Sequence, residues 1–274
     1  MALFTVDTDK CNRDGICISE CPVKLIEFKE KGAFPTPING AKALCINCGH
    51  CVAVCPTGAL SHRSMTPEHC PPVRPDWELS PEQVEYFLRS RRSIRTFKKD
   101  KVDREILEQL IDVARYAPSG HNFQPVEWLV VHNPDEVHRL GGLVVDWMRY
   151  MIKENPQMAQ MMHLEAIVAA WDMGIDTVVR DVPHLIIAHA AKANPTSMAA
   201  STIALSYLEL AASSFNLGAC WAGYFGVAAT VWPVLKKALE LPEGNVTFGV
   251  MMVGYPRFKY QRLPLRNPAK VIWR

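Results

Sequence analysis

The feature that most constrains this chain is an internal repeat of cysteines. Residues 11–22 align with 45–56 at a constant offset of 34, so that Cys11 falls on Cys45, Cys17 on Cys51, Cys21 on Cys55 and Pro22 on Pro56. The second copy reads Cys45-x2-Cys48-x2-Cys51-x3-Cys55-Pro56. Three thiolates two residues apart on one curled loop can face three corners of a cubane, which is the spacing that holds an iron–sulfur cluster. A zinc ion would usually be gripped by two separated pairs. The first copy departs at one position, where Asp14 replaces the second cysteine. A carboxylate can ligate iron, as a harder and weaker partner than thiolate, but an Asp before Gly15 can equally shape a turn beside a three-iron cluster. The sequence leaves both readings open.

Eight of the nine cysteines lie in the first 70 of 274 residues, with only Cys220 beyond them, and a gradient so steep implies two modules of different chemistry. Cys70 falls outside the repeat and reads as a spare thiol. At 49% hydrophobic residues and a formal charge of +2, the chain can bury a core and is not disordered. Because 30 Lys+Arg nearly cancel 28 Asp+Glu, a surface built for nucleic acid is not expected. The N-terminal residues contain no apolar run suited to a signal peptide. The uncharged stretch 210–235 is interrupted by Ser213, Ser214, Asn216, Gly218, Gly223, Gly226 and Pro233, which favours a buried helix, a turn and a strand over a membrane span. A cytoplasmic protein is expected, and in that reducing compartment the thiols should serve metal or redox roles rather than disulfides.

Residues 3–60 resemble bacterial two-cluster ferredoxins. That resemblance implies a small pseudo-symmetric fold around two clusters, with the last cysteine of each copy serving the other copy's cluster. One set would be Cys21, Cys45, Cys48 and Cys51, holding a 4Fe-4S cluster. The other would be Cys11, Cys17 and Cys55 with Asp14 in question, holding a 4Fe-4S or 3Fe-4S cluster. Seven Lys+Arg balance seven Asp+Glu over residues 1–70, so nothing suggests a strongly acidic mobile shuttle. A fixed relay is the better expectation.

The expected organisation is an iron–sulfur domain over 1–62, a proline-rich linker over 63–79 and a second domain over 80–274. Pro71, Pro72 and Pro75 stiffen the linker. Ser80, Pro81 and Gln83 form the cap, first position and capping-box partner of a helix whose apolar stripe is Val84, Phe87 and Leu88. Residues 89–101 hold seven Lys/Arg against one acid, and 257–274 hold six against none. Such runs are usually solvated faces. The form Arg91-Arg92-Ser93-x-Arg95, a fork of planar donors plus a hydroxyl, suits a phosphate monoester on which both segments could converge. No G-x-G-x-x-G or Walker A motif is present. A helix is expected from Asp103, strands at Glu127–Val131, Val182–Ala190 and Val246–Val253, and a small-residue helix at Ala199–Phe215 suited to a dimer seam. The methionine- and tryptophan-rich stretch 143–174 reads either as core or as an adaptable lid that includes Met158, Met161 and Met162.

Arg91-Arg92-Ser93-x-Arg95, Ala117-Pro118-Ser119-x-x-Asn122-x-Gln124-Pro125, Gly218-Ala219-Cys220-Trp221-Ala222-Gly223 and Arg262-Leu263-Pro264 together resemble the FMN-dependent nitroreductase family. With the front module, the whole chain is similar to the ferredoxin-fused nitroreductases of anaerobic bacteria. The resemblance implies an α+β fold, a nitroreductase-like α/β/α sandwich with a mostly antiparallel sheet, preceded by the ferredoxin-like domain. It further implies a homodimer with FMN at the subunit interface. Arg91, Ser93, Arg95 and Arg262 would hold the FMN phosphate and Arg92 the ribityl and pyrimidine side. Asn122 would bond the isoalloxazine, Ser119 would reach the partner's flavin, and Gln124 belongs to the same loop. The N–H groups of Ala222 and Gly223 would face flavin N5 and O4. The usual tail lysine is replaced by Tyr260, for which Lys259 or Arg266 could substitute.

The function expected from these parts is an FMN-dependent oxidoreductase. It would receive single electrons through its own clusters and reduce a small organic acceptor such as a nitroaromatic or quinone, with ferredoxin, flavodoxin or NAD(P)H as the external electron donor. No side chain need act as a catalytic acid or base. The alternatives are an electron-transfer or redox-sensing module serving a protein partner, and a reductive dehalogenase-like enzyme. Neither nucleic acid nor membrane is an expected partner.

Overall fold

The computed structural model describes residues 2–274, which divide into two compact units: residues 2–79 with 121–123, and residues 80–120 with 124–274. The segment 63–79 groups with the first unit.

The first unit is built from very short elements: β1 (Phe4–Val6), α1 (Ile16–Glu20), β2 (Ile26–Glu27), β3 (Thr36–Pro37), α2 (Ala41–Leu44), α3 (His50–Ala53) and β4 (Leu60–His62). β1 pairs antiparallel with β4, and β2 with β3. The repeat is visible in the backbone. α1 and α3 start at positions 34 apart, each behind a left-handed glycine, Gly15 at φ +74° and Gly49 at φ +75°. Only glycine takes that conformation cheaply, and it lets the ligand loop curl back before the helix begins. The apolar core is small: Leu3, Phe4, Leu25, Ile26, Ala41, Val52 and Leu60, together with the buried Cys17 and Cys21.

In the second unit α4 (Pro81–Ser90) begins with the expected capping box. Gln83 N–H donates to Ser80 Oγ, and Ser80 N–H donates to Gln83 Oε1 at 2.8 Å. Then follow α5 (Arg104–Ala114), β5 (Glu127–Val131), α6 (Pro134–Glu154), α7 (Pro156–Met161), α8 (Leu164–Asp172), β6 (His184–Ala191), α9 (Ser197–Ala212), β7 (Gly218–Trp221), α10 (Gly223–Val231), α11 (Pro233–Ala238) and β8 (Asn245–Gly254). The four strands form one antiparallel sheet in the order β5-β6-β8-β7.

Both faces of this sheet are covered, and the strand period of two sorts the residues between them. Leu185, Ile187, Val250 and Met252 enter one core with Val144 and Met148 of α6 and Phe225 of α10. Ile186, Ala188, Met251 and Val253 enter the other with Leu107 and Leu110 of α5 and Leu205 and Leu208 of α9. The architecture is therefore the expected sandwich. The methionine-rich stretch resolves into α6, α7 and α8. Trp147 and Met148 are buried core residues, Met162 packs against the core, and Met158 and Met161 are exposed. Among the described residues no helix is long and apolar enough to cross a membrane.

Candidate functional site

In the first unit the chain gathers the thiols into two groups. Cys21, Cys45, Cys48 and Cys51 line one cavity with Leu3, Phe4, Ile26 and His62. Burial, then the neighbouring Cys48, Cys45 and Cys21, push the Cys51 thiol up to about 11. The Cys17 thiol is raised by burial and then by Cys55, Asp14 and Cys11, so these four residues form the second group. Clustered sulfurs that resist ionising together are what a polycation neutralises, so the donor chemistry fits iron clusters. Asp14 Oδ1 accepts the Ile16 N–H at 3.0 Å, so its carboxylate shapes the start of α1.

Backbone N–H groups reach the sulfurs with the same periodicity. Leu25 N–H donates to Cys21 Sγ at 3.3 Å and Ala59 N–H to Cys55 Sγ at 3.2 Å, again 34 residues apart. Burial would raise the Cys55 thiol, but the Thr57 hydroxyl and the amides of Ala59, Thr57 and Leu60 together hold it below the usual value. Asn122, grouped with this unit, donates from Nδ2 to the carbonyls of Ile46 (3.3 Å) and Asn47 (3.1 Å) in the ligand loop.

In the second unit the two basic segments, far apart in sequence, meet. The segment after α4 runs beside β7 through Ile94 N–H to Ala219 O at 2.9 Å. It runs beside 255–257 through Lys98 N–H to Tyr255 O and Arg257 N–H to Thr96 O. Gly218 permits this approach, since a Cβ there would lie 2.6 Å from Ile94. A cleft of about 510 Å³ results, lined by Arg91, Arg92, Lys98, Glu209, Lys259 and Tyr260 among others. Arg91 Nη1 pairs with Glu209 at 2.8 Å. Arg92 donates from Nη2 to Arg89 O, while its Nε is buried without a partner in the protein. An orphaned guanidinium N–H among four cations fits an anionic ligand such as the phosphate of FMN.

The remaining expected residues are distributed around this cleft or away from it. Ser93 bridges to Ala219 on β7. Arg95 and Arg180 act on Cys220: burial raises that thiol while the two guanidinia pull against it. Ser119 Oγ accepts the Gln124 N–H at 2.9 Å, and both residues line a separate smaller pocket. The Ala222 N–H is spent on Val250 O at 2.9 Å, so it is not the free donor that the resemblance implied. Gly223, the first residue of α10, has no intrahelical acceptor for its N–H. Arg262 and Arg266 lie on the exposed tail outside the cleft lining. Sequence reasoning missed His62, Glu209 and Arg180, none of which belongs to a motif.

Residues 88–255 match the sequence profile of the Nitroreductase family, and residues 9–59 match that of a 4Fe-4S dicluster domain. The chain belongs to the nitroreductase family. A relative from Methanothermobacter thermautotrophicus, whose name couples NADH dehydrogenase with NAD(P)H nitroreductase, is 26% identical over 73% of this chain and 91% of its own. A 7Fe ferredoxin of Hydrogenibacillus schlegelii is 37% identical over 23% of this chain and 77% of its own. Among solved structures, a Bacteroides fragilis nitroreductase with bound FMN shares the fold at a TM-score of 0.59 and 18% identity, covering 70% of this chain and 99% of the other. The chain is thus an FMN-type oxidoreductase by family with an iron–sulfur module in front, in the α+β fold expected.

Proposed function

We propose that this protein is an internally wired flavin reductase. It takes single electrons from an external one-electron donor such as ferredoxin or flavodoxin through its iron–sulfur module and reduces a small organic acceptor, a nitroaromatic or quinone; NAD(P)H, a hydride donor, would deliver its electron pair to the flavin instead. The observation that carries the reading is the assembly of two ligand groups on one chain with a nitroreductase domain. When bound, the clusters supply one-electron carriers and FMN a two-electron carrier, so the fusion matches single-electron supply to paired-electron demand.

In this reading Cys21, Cys45, Cys48 and Cys51 hold one cluster, and Cys11, Cys17 and Cys55 hold the other with Asp14 beside them. Arg91, Arg92, Lys98 and Lys259 hold the phosphate, with Lys259 supplying the charge missing at Tyr260. Glu209 fixes the Arg91 guanidinium against the cleft wall. The Gly223 N–H is the backbone donor left for the flavin ring, and the exposed Met158 and Met161 are available to cover an apolar acceptor. The outer face of α9, with Met198, Ile203 and Tyr207 exposed, and the unburied apolar stripe of α4 favour a homodimer. Unpaired thiols throughout suit a reducing cytoplasm.

The test is anaerobic turnover of a nitroaromatic by the full-length protein with reduced ferredoxin as donor. Cys48→Ala should keep FMN and lose ferredoxin-driven turnover, whereas Arg92→Ala should lose FMN while keeping its iron. Full ferredoxin-driven turnover by Cys48→Ala would refute the relay.

A further inference from the structure

A histidine from outside the cysteine motif reaches one of the two ligand groups. His62, the last residue of β4, is buried, and its Nε2 lies 3.5 Å from Cys45 Sγ. The other face of the ring fixes which nitrogen carries the proton. Ser64 N–H points at His62 Nδ1 at 3.2 Å, and a backbone amide can only donate. Nδ1 is therefore an acceptor, also reached by Ser64 Oγ at 2.7 Å, and the ring proton sits on Nε2, facing the sulfur. The arrangement is held by a tight turn in which His62 N–H donates to Met65 O at 2.9 Å and Met65 N–H to His62 O at 3.1 Å.

The repeat offers an internal control. Shifting His62 back by 34 reaches Phe28, just after β2, as His62 ends β4. Phe28 lies against Gly15 with its ring, and that ring has no N–H to offer Cys11, the counterpart of Cys45. The backbone N–H···S bonds to Cys21 and Cys55 are matched between the copies, and the imidazole N–H···S bond is not.

We propose that His62 is a positioning residue that donates an Nε2–H···Sγ hydrogen bond to Cys45 and thereby raises the reduction potential of the cluster held by Cys21, Cys45, Cys48 and Cys51. One-electron reduction adds one negative charge shared between iron, sulfide and thiolate. A donor aimed at a ligand sulfur stabilises the reduced form more than the oxidised one. The inference rests on the cluster assignment, and the iron and sulfide count of the wild type checks that assignment separately.

The experiment is a potentiometric titration of the anaerobic full-length holoprotein followed by EPR. His62→Phe, which copies the first repeat, should lower the midpoint potential of one cluster signal, leaving the other signal, the iron count and the FMN content unchanged. His62→Gln, which keeps an N–H donor, should fall between. Wild-type potentials in a fully loaded His62→Phe protein would overturn the proposal. If His62→Phe loses iron, HYSCORE on reduced wild type carrying 15N-histidine decides: a weakly coupled nitrogen supports the bond, and its absence overturns it.

Discussion

In the second unit a single strand, β6, buries seven of its eight residues between two helical layers, and cores on both sheet faces enclose aliphatic side chains by the dozen. In the first unit the longest strand has three residues, the helices have four or five, and two of the nine fully buried core residues are cysteines. A sheet sandwich closes its core with hydrocarbon. The small unit places sulfur where a larger domain would place leucine, so its folding free energy must come largely from whatever those sulfurs bind. Function follows the same division: the loop-rich unit presents ligand atoms, and the rigid unit holds the arginine cleft.

The strongest way to break this comparison is to strip the metal. Oxidative removal of iron with a chelator should let the amides of residues 3–62 exchange at nearly unfolded rates while the β6 and β8 amides stay protected. Hydrogen exchange by mass spectrometry reads both in one sample. Protection persisting in the first unit would mean that its small core suffices. Conversely, Ile187→Ala, a cavity at the centre of the sheet, should cost about 2–5 kcal/mol in the second unit's denaturant midpoint and leave the cluster absorbance unchanged.

The same sheet carries a pH signature at a buried histidine. His184 is fully buried, stacked on His132 with ring centroids 4.4 Å apart, and accepts the Val102 N–H at 2.8 Å through Nε2. Burial, then the neighbouring His132, lower its pKa from 6.5 to about 4. The unfolded imidazole binds a proton as pH falls through 6.5 and the folded one does not until about 4, so stability present at neutral pH is lost across that window. Acidification from pH 7 to 5 should lower the second unit's melting temperature by about several degrees, and His184→Leu should flatten that slope. The smallest effect expected is at α4, where Ser80→Ala removes half of the capping box and should cost about 1 kcal/mol.

Much of this was legible in the residues. Glu127–Val131 is a strand within the bounds its composition suggests, because Trp128, Val130 and Val131 are aromatic or β-branched and turn signals flank the segment. The ligand groups could be paired because the repeat keeps register. Val182–Ala190 was displaced: β6 starts at His184, after Pro183, whose ring nitrogen cannot join the ladder. His62 was hidden because it stands where strand gives way to a proline-rich segment, and only the pairing of β4 with β1 shows that it is buried. Glu209 meets Arg91 and Arg180 acts on Cys220 through tertiary proximity that no local spacing encodes. The Ala222 N–H was misjudged because its acceptor, Val250, lies on another strand.

The most direct measurement is the content of iron, acid-labile sulfide and FMN in the full-length protein purified without oxygen. The account predicts about seven or eight irons, about eight sulfides and about one flavin per chain. Zinc in place of iron at the cysteines, or a protein that takes up no FMN, would contradict it.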